Sequence, residues 1–368
     1  MSNDGMAINI RNSRPHTDKV LSINSTNTAY LLGATTPNRK AVFFMTDFDF
    51  QLDNFMLYCS SKNLSRKTLA SYEQTLKLLG MYLRETYQIE EVKKVQSGHI
   101  RQYIKYLRER GKYTVVNKPE SKEKNYPEQR TDYKKEISMT TIANYVRNIK
   151  VFFNYLHQVE REILKNPVDS IENPKVERKV KKTLTQEEIK KVLGQFDIAA
   201  FHGYRNYVIT RLLLDTGMRI GECLNLQPEN FDFKHKSILI KNPKNGQERY
   251  VYFSFKSANE IKSWMRYKDR YSESPFLFPT TRGTQLEIRN FEHALREAGR
   301  KVGIAIHPHQ LRNNFAKYYI LNNGDWFSLC RILGHSSVDV TQKAYLDFTD
   351  EEIGRKYQKH SPLAHLDV

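Results

Sequence analysis

LLLDTGMRIGECLNL at 212–226 decides how the chain is read. An apolar run halts at Thr216-Gly217, and a second begins at once with Arg219 near its start. Glycine reaches backbone conformations that other residues avoid, so two helical runs are expected to meet at a sharp corner there. An arginine in so apolar a stretch is costly to place without a partner. Glu222 follows three residues later, and a helical turn puts both side chains on one face, where the carboxylate can hold the guanidinium. Asp215, just before the corner, reads as a cap for the adjoining turn.

Downstream of this corner, SILIK (237–241) and RYVYF (249–253) read as strands joined across Pro243 to Gln247, with Asn245-Gly246 as turn residues and Lys244 at the tip. Helices follow from about Ile288, Pro308, Asp325 and Ser337. In HPHQLRNNFA (307–316), His309 and Arg312 are three apart on a helix whose start is fixed by Pro308, so they project side by side. In LGHSS (333–337), His335 follows the glycine that ends one element, and Tyr345 of VTQKAYLDF (340–348) lies ten residues further on. Upstream, Thr185 and Glu188 have the spacing of a capping box, which opens a domain expected to span about 183–350.

The N-terminal part reads differently. Residues 1–45 are rich in Asn, Ser, Thr and Pro and are expected to form an arm, partly disordered. Four amphipathic helices then follow within 46–165, with stripes through Phe48, Leu52, Phe55 and Cys59; Leu69, Tyr72, Leu76, Leu79 and Leu83; Ile100, Ile104 and Leu107; and Ile142, Tyr145, Ile149, Phe153 and Leu156. Such stripes predict a small bundle. The charged, apolar-poor stretch 111–136 is expected to be an exposed insertion. Residues 166–182, with Pro167, Pro174 and the run KVERKVKK, read as an extended basic linker that either tethers two domains or also lies along phosphates. The tail at 351–368 carries Ile353 and Tyr357 among charges and is expected either to pack on its own domain or to dock on a neighbouring copy. The fold expected is therefore mainly α with a small antiparallel β-sheet: a helical bundle, then a mixed α/β domain.

Composition narrows the function. The 368 residues hold 59 Lys+Arg against 41 Asp+Glu, a net charge of +18, which seeks polyanions and predicts binding that weakens steeply with salt. No apolar run reaches the length of a membrane span and the start lacks an apolar signal region, so a soluble, cytoplasmic protein is expected, with no membrane partner. Cys59, Cys223 and Cys330 are far apart, without zinc or redox spacing, and read as reduced, buried thiols. His307 and His309 form an HxH pair, but no third ligand accompanies them, and no metal or cofactor is expected.

Two arginines, two histidines, a lysine and a tyrosine suit phosphoryl transfer without a metal. Guanidinium forks hold non-bridging oxygens as charge grows, and a tyrosine nucleophile keeps the energy of the broken linkage in a phosphodiester. The four segments, in this order and spacing, resemble the tyrosine recombinase (phage integrase) family. The likeness is strong over 183–350, and the bundle is more loosely similar to that family's core-DNA-binding domain. The resemblance implies that Arg219 and Arg312 clamp the phosphate and that Glu222 positions Arg219. By the same likeness His309 assists proton transfer, His335 hydrogen-bonds the phosphate, Lys244 protonates the leaving 5′ hydroxyl and Tyr345 is the nucleophile. It also implies double-stranded DNA as partner, a homotetramer on paired sites and, in some systems, an accessory directionality protein. The arm and the insertion favour an integrase or transposase of a mobile element. Lys241, at the end of the same strand, competes with Lys244, and Tyr318, Tyr319 and Tyr357 compete with Tyr345. A type IB topoisomerase and a non-catalytic, sequence-specific DNA-binding protein remain as other readings.

Overall fold

The structure, a computed structural model, describes residues 45–116, 123–176, 183–241, 248–335, 337–345 and 348–361. The chain divides into two compact units between Val176 and Glu177.

The first unit is helical. Helix α1 (Asp47–Ser61) starts at Thr46, whose hydroxyl accepts from the Asp49 amide, and α2 (Arg66–Tyr87) starts at Ser65 in the same way. Helix α3 covers Ser97–Glu109, and α4 covers Met139–Asn154 before a π-helical turn at Tyr155–Val159. The apolar stripes face inward: Phe48, Leu52, Phe55, Leu76, Leu79, Leu83, Ile100, Leu107, Ile149 and Phe153 are almost wholly buried. Each such side chain contributes about 1.5–3 kcal/mol of burial. One polar bond lies among them, from Asn148 Nδ2 to Thr75 Oγ1 at 2.9 Å.

The insertion is exposed over most of its described length, and its ends close as a β-bridge between Gly111 and Glu136, with Pro127 buried. Gly111 allows this closure, because a Cβ there would stand 2.5 Å from the Lys134 backbone. Residues 117–122 of the insertion lie outside the described residues. The expected linker needs correction, because it begins later than Pro167 suggests. Val168 and Ile171 join the bundle core, and Lys150 Nζ donates to the Ile171 carbonyl at 2.7 Å. Two apolar residues between the prolines hold the chain to the bundle, and the basic stretch 177–182 lies outside the described residues.

The second unit opens with α5 (Gln186–Leu193), where Thr185 and Glu188 form the reciprocal capping box. Helix α6 (Phe201–Thr216) is buried on most sides, with Val208, Ile209, Leu212 and Leu213 at its centre. It ends at Gly217, with φ +64°, and the short α7 (Ile220–Leu224) turns away. A sheet of order β1-β2-β3 follows, with β1 (Phe231–Asp232), β2 (Ser237–Ile240) and β3 (Arg249–Tyr252) all antiparallel. Ile238 pairs with Val251, and Ile240 with Arg249.

Helix α8 (Phe255–Asp269), which the sequence reading passes over, buries Trp264 and sends its indole N–H to the Leu277 carbonyl at 2.8 Å. Its N-cap, Ser254, donates its amide to Asp215 at 2.7 Å, so Asp215 holds a remote helix start rather than its own turn. Helices α9 (Ile288–Lys301), α10 (Pro308–Leu321), α11 (Trp326–Leu333), α12 (Val338–Tyr345) and α13 (Asp350–His360) complete the unit.

The second half of α10 fastens both ends of this unit. Asn314, fully buried, accepts from the Leu184 amide at 3.1 Å and donates to the Leu184 carbonyl at 2.7 Å. Lys317 Nζ reaches the Thr183 hydroxyl at 3.2 Å and Glu352 of α13 at 2.8 Å.

Candidate active site

The corner between α6 and α7 places the first arginine. Arg219 precedes α7, and Glu222 reaches back to it, accepting from its backbone amide at 2.8 Å and from its Nη1 at 2.9 Å. Gly217 makes the corner sterically feasible: a Cβ would lie 2.2 Å from the Phe315 ring, in a left-handed conformation. Gly217→Ala is therefore expected to cost about 2–4 kcal/mol, read as a lower urea midpoint.

Helix α10 brings the second arginine to the same place. His307 caps it, with Nδ1 accepting from the Gln310 amide at 3.2 Å, and Pro308 fills its first position. Arg312 is buried. Its Nη1 donates to the Gly217 carbonyl at 2.7 Å and its Nη2 to the Leu333 carbonyl at 2.6 Å, while Nη2 also faces His335 Nε2 at 3.1 Å. These two carbonyls close a helix corner and a helix end, so the guanidinium plane is set by backbone. His309, one turn earlier, is exposed, and its charge bears on His335.

His335 follows Gly334, which ends α11 with φ +63°. Burial, then the charges of Arg312, Arg219, Arg249 and His309, push its pKa down to about 4. The imidazole is therefore neutral at pH 7, half-buried and turned in among the arginines rather than out to solvent.

One residue of this cluster, Arg249, enters the sequence reading only through its spacing from Lys244, which resembles the family's hairpin, and is given no role there. Arg249 is the first residue of β3, and its Nη1 and Nη2 donate to the two Glu222 oxygens at 3.0 and 2.7 Å, while its Nε donates to the Ile332 carbonyl at 2.8 Å. The available signal was phase. Arg249 shares its strand face with buried Val251, whereas Tyr250 and Tyr252 are exposed, and a charge on an inward face needs a partner.

Glu222 thus serves two guanidiniums. Burial pushes its carboxyl up, but the hydrogen bonds from Arg249 and the Arg219 amide and side chain, with the charges behind them, outweigh that and hold it below the usual range. Since folding lowers this pKa, the stabilisation is complete above the unfolded value of about 4.3 and is lost as pH falls through the folded one. Glu222→Ala leaves Arg249, itself only 10% exposed, without its carboxylate. A loss of about 3–5 kcal/mol is expected at pH 7. Urea titrations of both proteins should show the difference shrinking on acidification.

The remaining candidates fall as follows. Tyr345 is the last residue of α12, a helix packed against α10 and α11; its side chain lies outside the described residues. Lys244 and the hairpin tip at 242–247 lie outside them as well, and Lys241 is exposed at the end of β2. Among the described residues, no group of three or more His, Cys, Asp or Glu is placed to hold a metal ion. The three cysteines are free and buried. No helix among the described residues is long and apolar enough to cross a membrane.

The arrangement is three guanidiniums, two of them on one carboxylate and the third on backbone carbonyls beside a neutral imidazole, with a tyrosine on an adjoining helix. Comparison with known proteins gives the family. Residues 182–352 match the phage integrase family, and residues 52–118 match the phage integrase N-terminal SAM-like domain. The chain is similar to tyrosine recombinase XerC of Oceanobacillus iheyensis, 24% identical over 330 residues, covering 87% of this chain and 99% of that one. It is similar also to tyrosine recombinase XerA of Pyrococcus furiosus, 29% identical over 235 residues, covering 63% and 78%. Among solved structures, the Tn1549 transposon integrase in complex with a circular intermediate DNA shares the fold, with a TM-score of 0.64 at 16% identity over 85% of this chain and 99% of that one. The chain belongs to the phage integrase family and is a tyrosine-type DNA recombinase.

Proposed function

We propose that this recombinase cuts and rejoins double-stranded DNA through a 3′-phosphotyrosyl intermediate formed on Tyr345. The convergence of Arg219, Arg312 and His335, with Tyr345 ending a helix that packs on α10 and α11, supports this reading most directly. In the proposed step the Tyr345 hydroxyl oxygen attacks the scissile phosphorus and the bond to the 5′ oxygen breaks. His309 assists removal of the phenolic proton, and Lys244 supplies a proton to the leaving 5′ oxygen. Arg219 and Arg312 hold the non-bridging oxygens as charge builds, and His335 braces Arg312 beside them. One P–O ester bond forms for each that breaks, so the 5′ hydroxyl of a second strand can reverse the step without ATP or metal.

Integration or excision of a mobile element is the role we assign. The long arm and the insertion support it, as does the fold shared with a transposon integrase. A homotetramer on two sites fits α13, whose Ile353 and Tyr357 are 54% and 59% exposed, so that this helix offers apolar side chains to another copy.

The test is to incubate the purified protein with fragmented genomic DNA in a chelator and without ATP, denature with detergent, and sequence what stays attached. Discrete DNA ends support the proposal. Binding without attachment would leave the DNA-binding reading. Attached ends scattered over all sequences would favour the topoisomerase reading.

A further inference from the structure

We propose that Thr341 is a positioning residue for strand cleavage: its hydroxyl fixes His335 with the ring proton on Nδ1 and ties that imidazole to the helix that ends at Tyr345. The inference rests on the recombinase reading above and adds a residue that neither composition nor motif spacing singles out.

The geometry sets the direction of each bond. Arg312 is donor-only, so the His335 Nε2 that faces its Nη2 at 3.1 Å must be the nitrogen without a proton. The proton of the neutral ring then lies on Nδ1, which stands 2.8 Å from Thr341 Oγ1 and donates to it. The Thr341 hydroxyl hydrogen is thereby turned away, towards the Ser337 carbonyl at 3.4 Å. The sequence Arg312, His335, Thr341, Ser337 is a single run of donors and acceptors with one orientation.

Two further observations make this more than a local contact. Thr341 is wholly buried, so no water competes for its hydroxyl. It also lies on α12 one turn before Tyr345, about 6 Å along the axis at the usual rise per residue. The Thr341 contact therefore forms only when α12, the helix that ends at Tyr345, is docked. The Nε2 lone pair is thereby held on the Arg312 guanidinium, which sets that arm of the phosphate clamp.

The test uses the full chain with Thr341→Val, which keeps the shape and removes the hydroxyl, and Thr341→Ser, which keeps the hydroxyl. The first measurement is the nitrogen-15 signature of the His335 tautomer in the DNA-free protein. The second is the rate of covalent adduct formation with a pool of nicked duplexes of randomised sequence. Wild type and Thr341→Ser should show one tautomer, protonated at Nδ1, and similar rates. Thr341→Val should show mixed tautomers and a rate on the order of 10- to 100-fold lower, as when other groups that orient an active-site imidazole are removed. A Thr341→Val protein with the wild-type tautomer and rate would overturn the inference. So would a Thr341→Ser protein as impaired as Thr341→Val, since the methyl and not the hydroxyl would then matter. If wild type formed no adduct, the recombinase mechanism would fall, while the tautomer measurement would still decide the contact.

Discussion

Tyr345→Phe is expected to leave no detergent-stable protein–DNA product while DNA affinity stays nearly unchanged. The variant loses one oxygen, and that oxygen is the atom that would join phosphorus, so no slower route through the same residue remains. Affinity should persist because it is carried by many phosphate contacts on a chain of net charge +18. With 22 tyrosines in the chain, controls carry as much weight as the variant itself. Tyr318 is a useful one, because its hydroxyl already donates to the Leu184 carbonyl at 3.2 Å. Tyr357, exposed on α13, is another. Tyr318→Phe and Tyr357→Phe should both retain adduct formation. Loss of adduct in either, with retention in Tyr345→Phe, would move the nucleophile elsewhere.

The second large effect is expected for Arg312→Lys. Lysine preserves the charge but replaces a planar fork with a single rotating ammonium. Arg312 reaches the Gly217 carbonyl, the Leu333 carbonyl and His335 at once, three directions that one ammonium cannot serve together with a phosphate. Adduct formation should slow by about 10³-fold or more, the range associated with guanidiniums that stabilise phosphoryl transfer. Stability should fall as well, by about 1–3 kcal/mol for a carbonyl left without its donor. Single-turnover rates at saturating protein separate the two effects from weaker binding. A loss below about tenfold would mean that Arg312 is a structural strut and that the phosphate clamp lies with the other arginines.

Much of the architecture was legible because it rests on short-range rules. The stripe from Phe48 to Cys59 and the cap at Thr185 need only helical spacing and a hydroxyl at the right place. The Arg219 and Glu222 pair needs only a turn of helix. What escaped the reading depends on residues far apart in sequence. Arg249 meets Glu222 across 27 positions, and the Gly111 to Glu136 bridge closes a stretch that, residue by residue, is polar enough to look like a solvated loop. Val168 and Ile171 were masked by the prolines around them. Helix α8 was passed over because Ala258, Ile261 and Trp264 alone mark its inner face and the next buried side chain is Lys268, whose Nζ is satisfied by the Ser274 carbonyl.

The grip of Asn314 on Leu184 bears on how this unit can be handled in isolation. Judged by its capping box, the unit begins at Thr185, and a fragment cut there would look complete. It would lack the backbone that occupies both ends of a buried amide, and Lys317 would lose the Thr183 hydroxyl beside it. The helix left with these vacancies is the one that carries His309 and Arg312 in its first two turns. A truncation chosen at the visible start of the first helix would therefore loosen the reactive end of α10 from behind, and an inactive fragment of that kind would report on its boundary rather than on its chemistry.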